Sequence, residues 1–115
     1  MNISFSDEYD YTPIWNNNRK EENPMVFHMR YLTTPEREKF IIRDLASVDG
    51  ELRQTTRFDN VGILKASVTK IDNLSKNGSP IDTVQKLLAE RGFSALSSEV
   101  ADYAAGQNIL PDLKN

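Results

Sequence analysis

Hydrophobic and polar positions alternate most regularly over residues 25–32. Met25, Phe27, Met29 and Tyr31 fall on one side, and Val26, His28, Arg30 and Leu32 on the other. Period two with aromatic and branched side chains predicts a half-buried strand. Ile3 and Phe5 alternate over residues 2–6, which makes that segment the natural antiparallel partner. Between the two, residues 6–24 hold acids, aromatics, Pro13 and four asparagines without any period, and read as a loop or arm. Two strands alone are marginal in water, so this unit must lie on helices or on another chain.

Farther along, the period changes. Thr33-Thr34-Pro35-Glu36 reads as a helix start, with Thr34 as N-cap, Pro35 in the first position and Glu36 near the positive end of the dipole. Ile41, Leu45 and Val48 then recur at helical spacing, and Asp49-Gly50 ends the run, so a helix is predicted over 33–50. Residues 51–58 are polar and fit no single element. Val61, Leu64, Val68 and Ile71, spaced three, four and three, predict a helix within 59–74 capped by Asp59. The β-branched residues there, with Leu64, Ala66 and Val68 at alternate positions, also fit a strand.

Asn77-Gly78 marks a tight turn. Ser79, Pro80 and Asp82 stand in capping-box order before an apolar face of Ile81, Val84, Leu87 and Leu88, and Gly92 stops that helix. Ser94 can cap another, carrying Leu96, Val100, Tyr103 and Ala104 and closed by Gly106. Such short helices are not stable alone and must pack on one another. The expected architecture is therefore α+β in a single domain, 1–115. It comprises a short N-terminal antiparallel β unit (1–32, with the arm at 6–24), a helix over 33–50, short helices over 59–106 that make the C-terminal half mainly helical, and a tail over 107–115.

Composition narrows the function classes. The 115 residues are 38% hydrophobic and 27% charged, with a net charge of −3 and a mean hydropathy of −0.55. That combination implies a lean core and much solvent-facing chain. No basic stripe is present to neutralise phosphates, which argues against nucleic acid as a partner. With no cysteine in the chain, disulfides and thiol chemistry are excluded. The first residues lack the basic and apolar regions of a signal peptide, and no apolar run is long enough to span a bilayer, so a cytoplasmic setting without a membrane is expected.

Candidate chemistry is sparse. His28 is the single histidine, and no nucleophile-elbow pattern accompanies it. Asp7, Glu8 and Asp10 lack the central Gly and late Glu of a calcium loop, and the glycines stand apart, so no phosphate loop forms. Catalytic, cofactor and metal residues are accordingly expected to be absent, and the chain is read as a non-enzyme acting through a protein partner. Trp15, the one tryptophan, could pack on its own domain, anchor in a neighbour or stack on a small ligand.

Two stretches, "LTTPEREKF" after the Trp15 loop and "VTKIDNLSKNGSPIDTVQKLL" before "LSSEVADYAAGQNILPDLKN", together resemble the tail assembly chaperones of long-tailed bacteriophages. The resemblance rests on Trp15, Asn18, Arg19, Thr34, Glu36, Ile71, Asn73, Leu74, Gly78, Ile81, Leu87, Glu99 and Val100, with Leu110, Lys114 and Asn115 at the end. The chain departs from the family's Asn-Gly-Asn-Arg turn, having Asn16-Asn17-Asn18-Arg19 in its place. What the resemblance implies is a non-catalytic protein of the host cytoplasm that coats the tape measure protein before tube subunits polymerise around it. The partner-binding residues then expected are Trp15, Val61, Leu64, Val68, Ile71, Ile81, Val84 and Leu88, on faces left partly open. Another tail protein as partner and self-association are compatible with the same reading.

Two rivals stand beside it. One is a structural virion subunit (tail tube, terminator or head-tail joining protein) assembling strand edge to strand edge. The other is a small DNA-binding regulator with a helix-turn-helix in residues 79–106. Its second helix would carry Glu99 and Asp102 and no Lys or Arg, which suits DNA poorly.

Overall fold

The computed structural model describes residues 1–109. Antiparallel strands dominate the N-terminal half and helices the C-terminal part, an α+β arrangement. Strand β2 (Val26–Arg30) is the centre of a three-stranded sheet, flanked by β1 (Glu8–Tyr11) and β5 (Val68–Asp72), both antiparallel to it. The alternation over 25–32 becomes burial: Met25, Phe27 and Met29 point into the core, while His28 and Arg30 face outward and are half-buried.

The partner strand is not residues 2–6. It is β1, which lies inside the expected arm, and Ile3 and Phe5 are exposed. Within that arm, Trp15–Lys20 form a short 3-10 segment in which Asn16 and Asn17 have φ of 53° and 58°. Asparagine tolerates this left-handed region, so Asn17 occupies it without a glycine.

The helix expected over 33–50 is the largest departure. Only α1 (Thr34–Lys39) is helical there, capped by Thr33 rather than Thr34, with a reciprocal bond between Thr33 and Glu36. Phe40 ends it, and β3 (Ile41–Val48) then pairs with β4 (Glu51–Phe58) in a regular eight-pair hairpin. The cause is Asp49-Gly50, with φ of 53° and 79°. Two consecutive left-handed residues make the turn whose twist matches an antiparallel pair, so this dipeptide closes a hairpin rather than a helix. No residue of β3 or β4 is buried, and with both faces wet the hairpin shows no period-two pattern.

The seam predicted within 59–74 is also split. Asp59 caps α2 (Asn60–Ser67), accepting a hydrogen bond from the Gly62 N–H at 3.1 Å. The chain then passes directly into β5. Opposite His28 and Met29 the register shifts, with His28 facing Lys70 and Met29 facing Val68. Thr69 is thus the extra residue of a bulge, and its hydroxyl donates to the His28 carbonyl at 3.0 Å. The bulge turns Val68 and Ile71 to the same buried side despite their spacing of three.

Residues Ser79–Pro80 form strand β7 and pair with β6 (Ser75–Lys76) around Asn77-Gly78, so the helix cap expected at Ser79 is absent. Helix α3 (Val84–Ala89) begins four residues later under Thr83, whose hydroxyl accepts from the Lys86 N–H at 3.2 Å. The last helix, α4 (Ser94–Ile109), runs through Gly106 instead of stopping there. The expected tail beyond Ile109, with Leu110, Lys114 and Asn115, lies outside the described residues.

The core sits between the inner face of the sheet and α2, α3 and α4. Phe27, Met29 and Ile71 meet Ile63, Leu64, Leu87, Leu96 and Val100, all within a few per cent of complete burial. Ala101, Ala104 and Ala105 keep the buried stripe of α4 narrow, so neighbouring elements pack close. Gly62 serves a similar end, because a Cβ there would stand 2.7 Å from the Phe40 ring. The Phe40 carbonyl accepts from the Asp59 N–H at 2.8 Å, which joins the root of the hairpin to the start of α2.

Candidate protein-binding site

Glu99, on α4, organises the arm. Its carboxylate accepts from the Tyr11 hydroxyl at 2.6 Å, the Ile14 N–H at 2.8 Å and the Trp15 N–H at 3.0 Å. The Tyr11 ring stacks on Tyr103 one turn further along the helix, with centroids 4.0 Å apart. Burial, then the bond to Glu99, pushes the Tyr11 hydroxyl up to about 12. Tyr9 is also raised, by burial first and then by Tyr103 and Tyr31. Buried Asn18 closes the other side: its amide donates to the carbonyls of Pro13 and Met25 and accepts from the Met25 N–H at 2.8 Å.

Trp15 therefore lies against its own domain, half-buried and edge-on to Phe93 at 5.8 Å. Five of the eight expected contact residues, Leu64, Val68, Ile71, Ile81 and Val84, are buried in the core. As exposed docking faces those stripes are closed. Leu88 is half-buried, and Val61 is 47% exposed.

A groove of 510 Å³ lies open where the start of α2 faces the end of α3 and the start of α4. Val61, Leu64, Leu87, Leu88 and Phe93 line it, and Asn60, Glu90 and Arg91 supply its polar edge. Three of the expected residues thus meet in one place, although Leu64 contributes only floor. The sequence hid this because Phe93 follows a helix stop and belongs to no periodic face. Glu99 was equally hidden, since its partners lie 84 to 88 positions away.

His28 forms the other cluster. Its Nδ1 is 2.7 Å from Asp10 Oδ1 and its Nε2 2.6 Å from Asp72 Oδ2, so the ring bridges all three strands on the outer face. The bond to Asp72, then that to Asp10, holds its pKa above the ordinary histidine value. Both nitrogens are engaged by carboxylates, so the ring has no free lone pair facing a substrate, and the arrangement works as a clip between strands. Among the described residues no group of three or more His, Cys, Asp or Glu is placed to hold a metal ion. Beside the clip, Glu36 is bound by Arg30 at 2.6 Å and by the Thr33 N–H, and its carboxyl is lowered to about 2.

Neither a family model, a curated protein nor a solved structure matches this chain. Among the described residues no helix is long and apolar enough to cross a membrane.

Proposed function

We propose that the chain is a non-catalytic protein-binding module, a phage tail assembly chaperone that holds the tape measure protein in the host cytoplasm during tail morphogenesis. The groove between α2, α3 and α4 is the single observation that carries the binding role. It is apolar within, polar at the edge and open at the surface, the chemistry that seats one face of an amphipathic helix. A long helical tape measure offers many such faces, each prone to aggregate while uncovered. The assignment to tails rests on the resemblance of the Trp15 loop, "LTTPEREKF" and the C-terminal segments.

The test uses a helical fragment of a tape measure protein, followed by light scattering. The wild-type chain suppresses aggregation of the fragment; Val61→Asp and Leu88→Asp reduce the suppression. A wild-type chain without effect on scattering sinks the reading.

A structural virion subunit is the second reading, favoured by the hairpin, whose two strands each keep a free edge among the described residues. Sizing chromatography separates the two. A ring or tube supports the virion part, and a monomer or small oligomer supports the chaperone.

A further inference from the structure

Among the described residues the hairpin of β3 and β4 is a two-stranded sheet with no third strand and no buried residue. Leu45 and Leu52 are 74% and 78% exposed and share one face of the hairpin, and it is their adjacency rather than the exposure of either one that is informative. Proteins that keep such an edge unpaired protect it with charged side chains, lysine above all, or with proline, a bulge or a short strand; on β3 the charges are confined to the neighbouring Arg43 and Asp44. Residues 41–58 contain neither lysine nor proline, and the eight-residue register has no irregularity. We propose that β3 pairs with β3 of a second copy of this chain, antiparallel and centred on Leu45, making a four-stranded sheet across a two-fold axis. The proposal is independent of the groove.

Backbone geometry selects the edge residues. A two-residue turn makes Val48 and Glu51 a hydrogen-bonded pair, so Ile42, Asp44, Ala46 and Val48 bond inward to β4. Ile41, Arg43, Leu45 and Ser47 therefore aim their N–H and C=O groups at the free edge. Two-fold symmetry requires some residue to face itself. Centring on Arg43 or on Asp44 sets like charges opposite each other, which is destabilising. Centring on Leu45 places Leu45 against Leu45, Ile42 against Val48, Arg43 against Ser47 and Asp44 against Ala46.

Side-chain chemistry supports the same register. Leu45 lies opposite Gln54, and Leu52 opposite Ser47, so the two leucines share one face of the hairpin. Pairing about Leu45 sets two copies of each in a strip of four across the new sheet, covering the most exposed apolar side chains of the hairpin. The strip explains why they are leucines. Of the two edges β3 is the more apolar, with Ile41, Ile42, Leu45, Ala46 and Val48, against Leu52 and Phe58 in β4. The hairpin carries Arg43, Arg53 and Arg57 against Asp44, Asp49 and Glu51, so two copies approach without net repulsion between these segments.

Because the chain has no cysteine, single substitutions report the geometry directly. In Leu45→Cys the paired Cα atoms stand about 5.5 Å apart, within the span of a disulfide. Mild oxidation is expected to convert this variant to a covalent dimer, whereas Gln54→Cys, at the middle of the other edge, is not cross-linked. Light scattering of the unmodified chain across a concentration series is expected to approach twice 13.1 kDa, and Leu45→Lys to return that mass to the monomer value. Unmodified chain that stays monomeric throughout overturns the proposal. So does cross-linking of Gln54→Cys as readily as of Leu45→Cys, which would place the contact elsewhere.

Discussion

Glu99 and Tyr11 lie 88 positions apart in the chain and meet at 2.6 Å, joining the last helix to the first strand. The same carboxylate takes the N–H groups of Ile14 and Trp15, so one side chain fixes where the arm begins. Replacing it with alanine leaves two backbone donors without their partner. Hydrogen bonds to a charged group contribute about 1.5–3 kcal/mol each net of exchange with water, and the one to the exposed Ile14 N–H lies at or below the low end of that range. Glu99→Ala is expected to lower stability by about 2 kcal/mol and to shift the emission of Trp15 to longer wavelength. Chemical denaturation and fluorescence of the single tryptophan check both.

His28 gives the fold a pH dependence with a defined sign. Its folded pKa is raised by Asp72 and Asp10, so the clip contributes fully below the unfolded value of 6.5. That contribution is lost as pH rises through the folded value. An NMR titration should place the His28 midpoint above 6.5, and His28→Gln should flatten the decline of stability on the alkaline side. A midpoint at or below the ordinary value contradicts the bridged geometry.

Glu36 works in the opposite direction. Arg30 and the Thr33 N–H depress its carboxyl from 4.5 to about 2. The stability it contributes is present above 4.5 and disappears as pH falls toward 2. The Arg30 and Glu36 side chains are 39% and 29% exposed, so solvent screening holds the pair to about 1 kcal/mol or less. Glu36→Gln should remove that increment at neutral pH and leave acid unfolding less steep, as measured by circular dichroism.

Gly62 is a packing requirement. An added Cβ would stand 2.6 Å from Asp59 Oδ2 and 2.7 Å from two atoms of the Phe40 ring. Gly62→Ala should therefore destabilise by about 1–3 kcal/mol, despite the better helix propensity of alanine. A melting temperature at or above the wild-type value would show that Phe40 yields without cost.

Groove and core should separate cleanly in mutants. Val61 is 47% exposed and Leu64 fully buried. Val61→Asp is expected to leave stability within about 0.5 kcal/mol while weakening partner capture. Leu64→Ala should cost about 2–5 kcal/mol, because the cavity it leaves is enclosed. Denaturation midpoints of the two variants provide the comparison.

The strand over 25–32 was legible in sequence because one of its faces is buried and the other is not. The hairpin was not, because exposure on both faces erases the alternation, and Ile41, Leu45 and Val48 happen to fit a helical spacing. Only Asp49-Gly50 carried the signal, and that dipeptide ends helices as well as turning hairpins. The seam from Val61 to Ile71 misled for another reason. The bulge at Thr69 gives a strand the three-residue spacing of a helix. As for the site, Val61, Leu64 and Leu88 could be picked out as apolar, but sequence could not say that Leu64 closes into the core while Val61 stays outside.

Helix α2 and strand β5 share an unbroken junction at Ser67 and Val68. The floor of the groove and the sheet bearing His28 are consequently two ends of one rigid lever, with no slack to absorb a change in length. A single residue inserted there would rotate Val61 and Leu64 by about 100° about the helix axis, or else slip β5 by one position and turn Ile71 out into water. This joint has to keep its count.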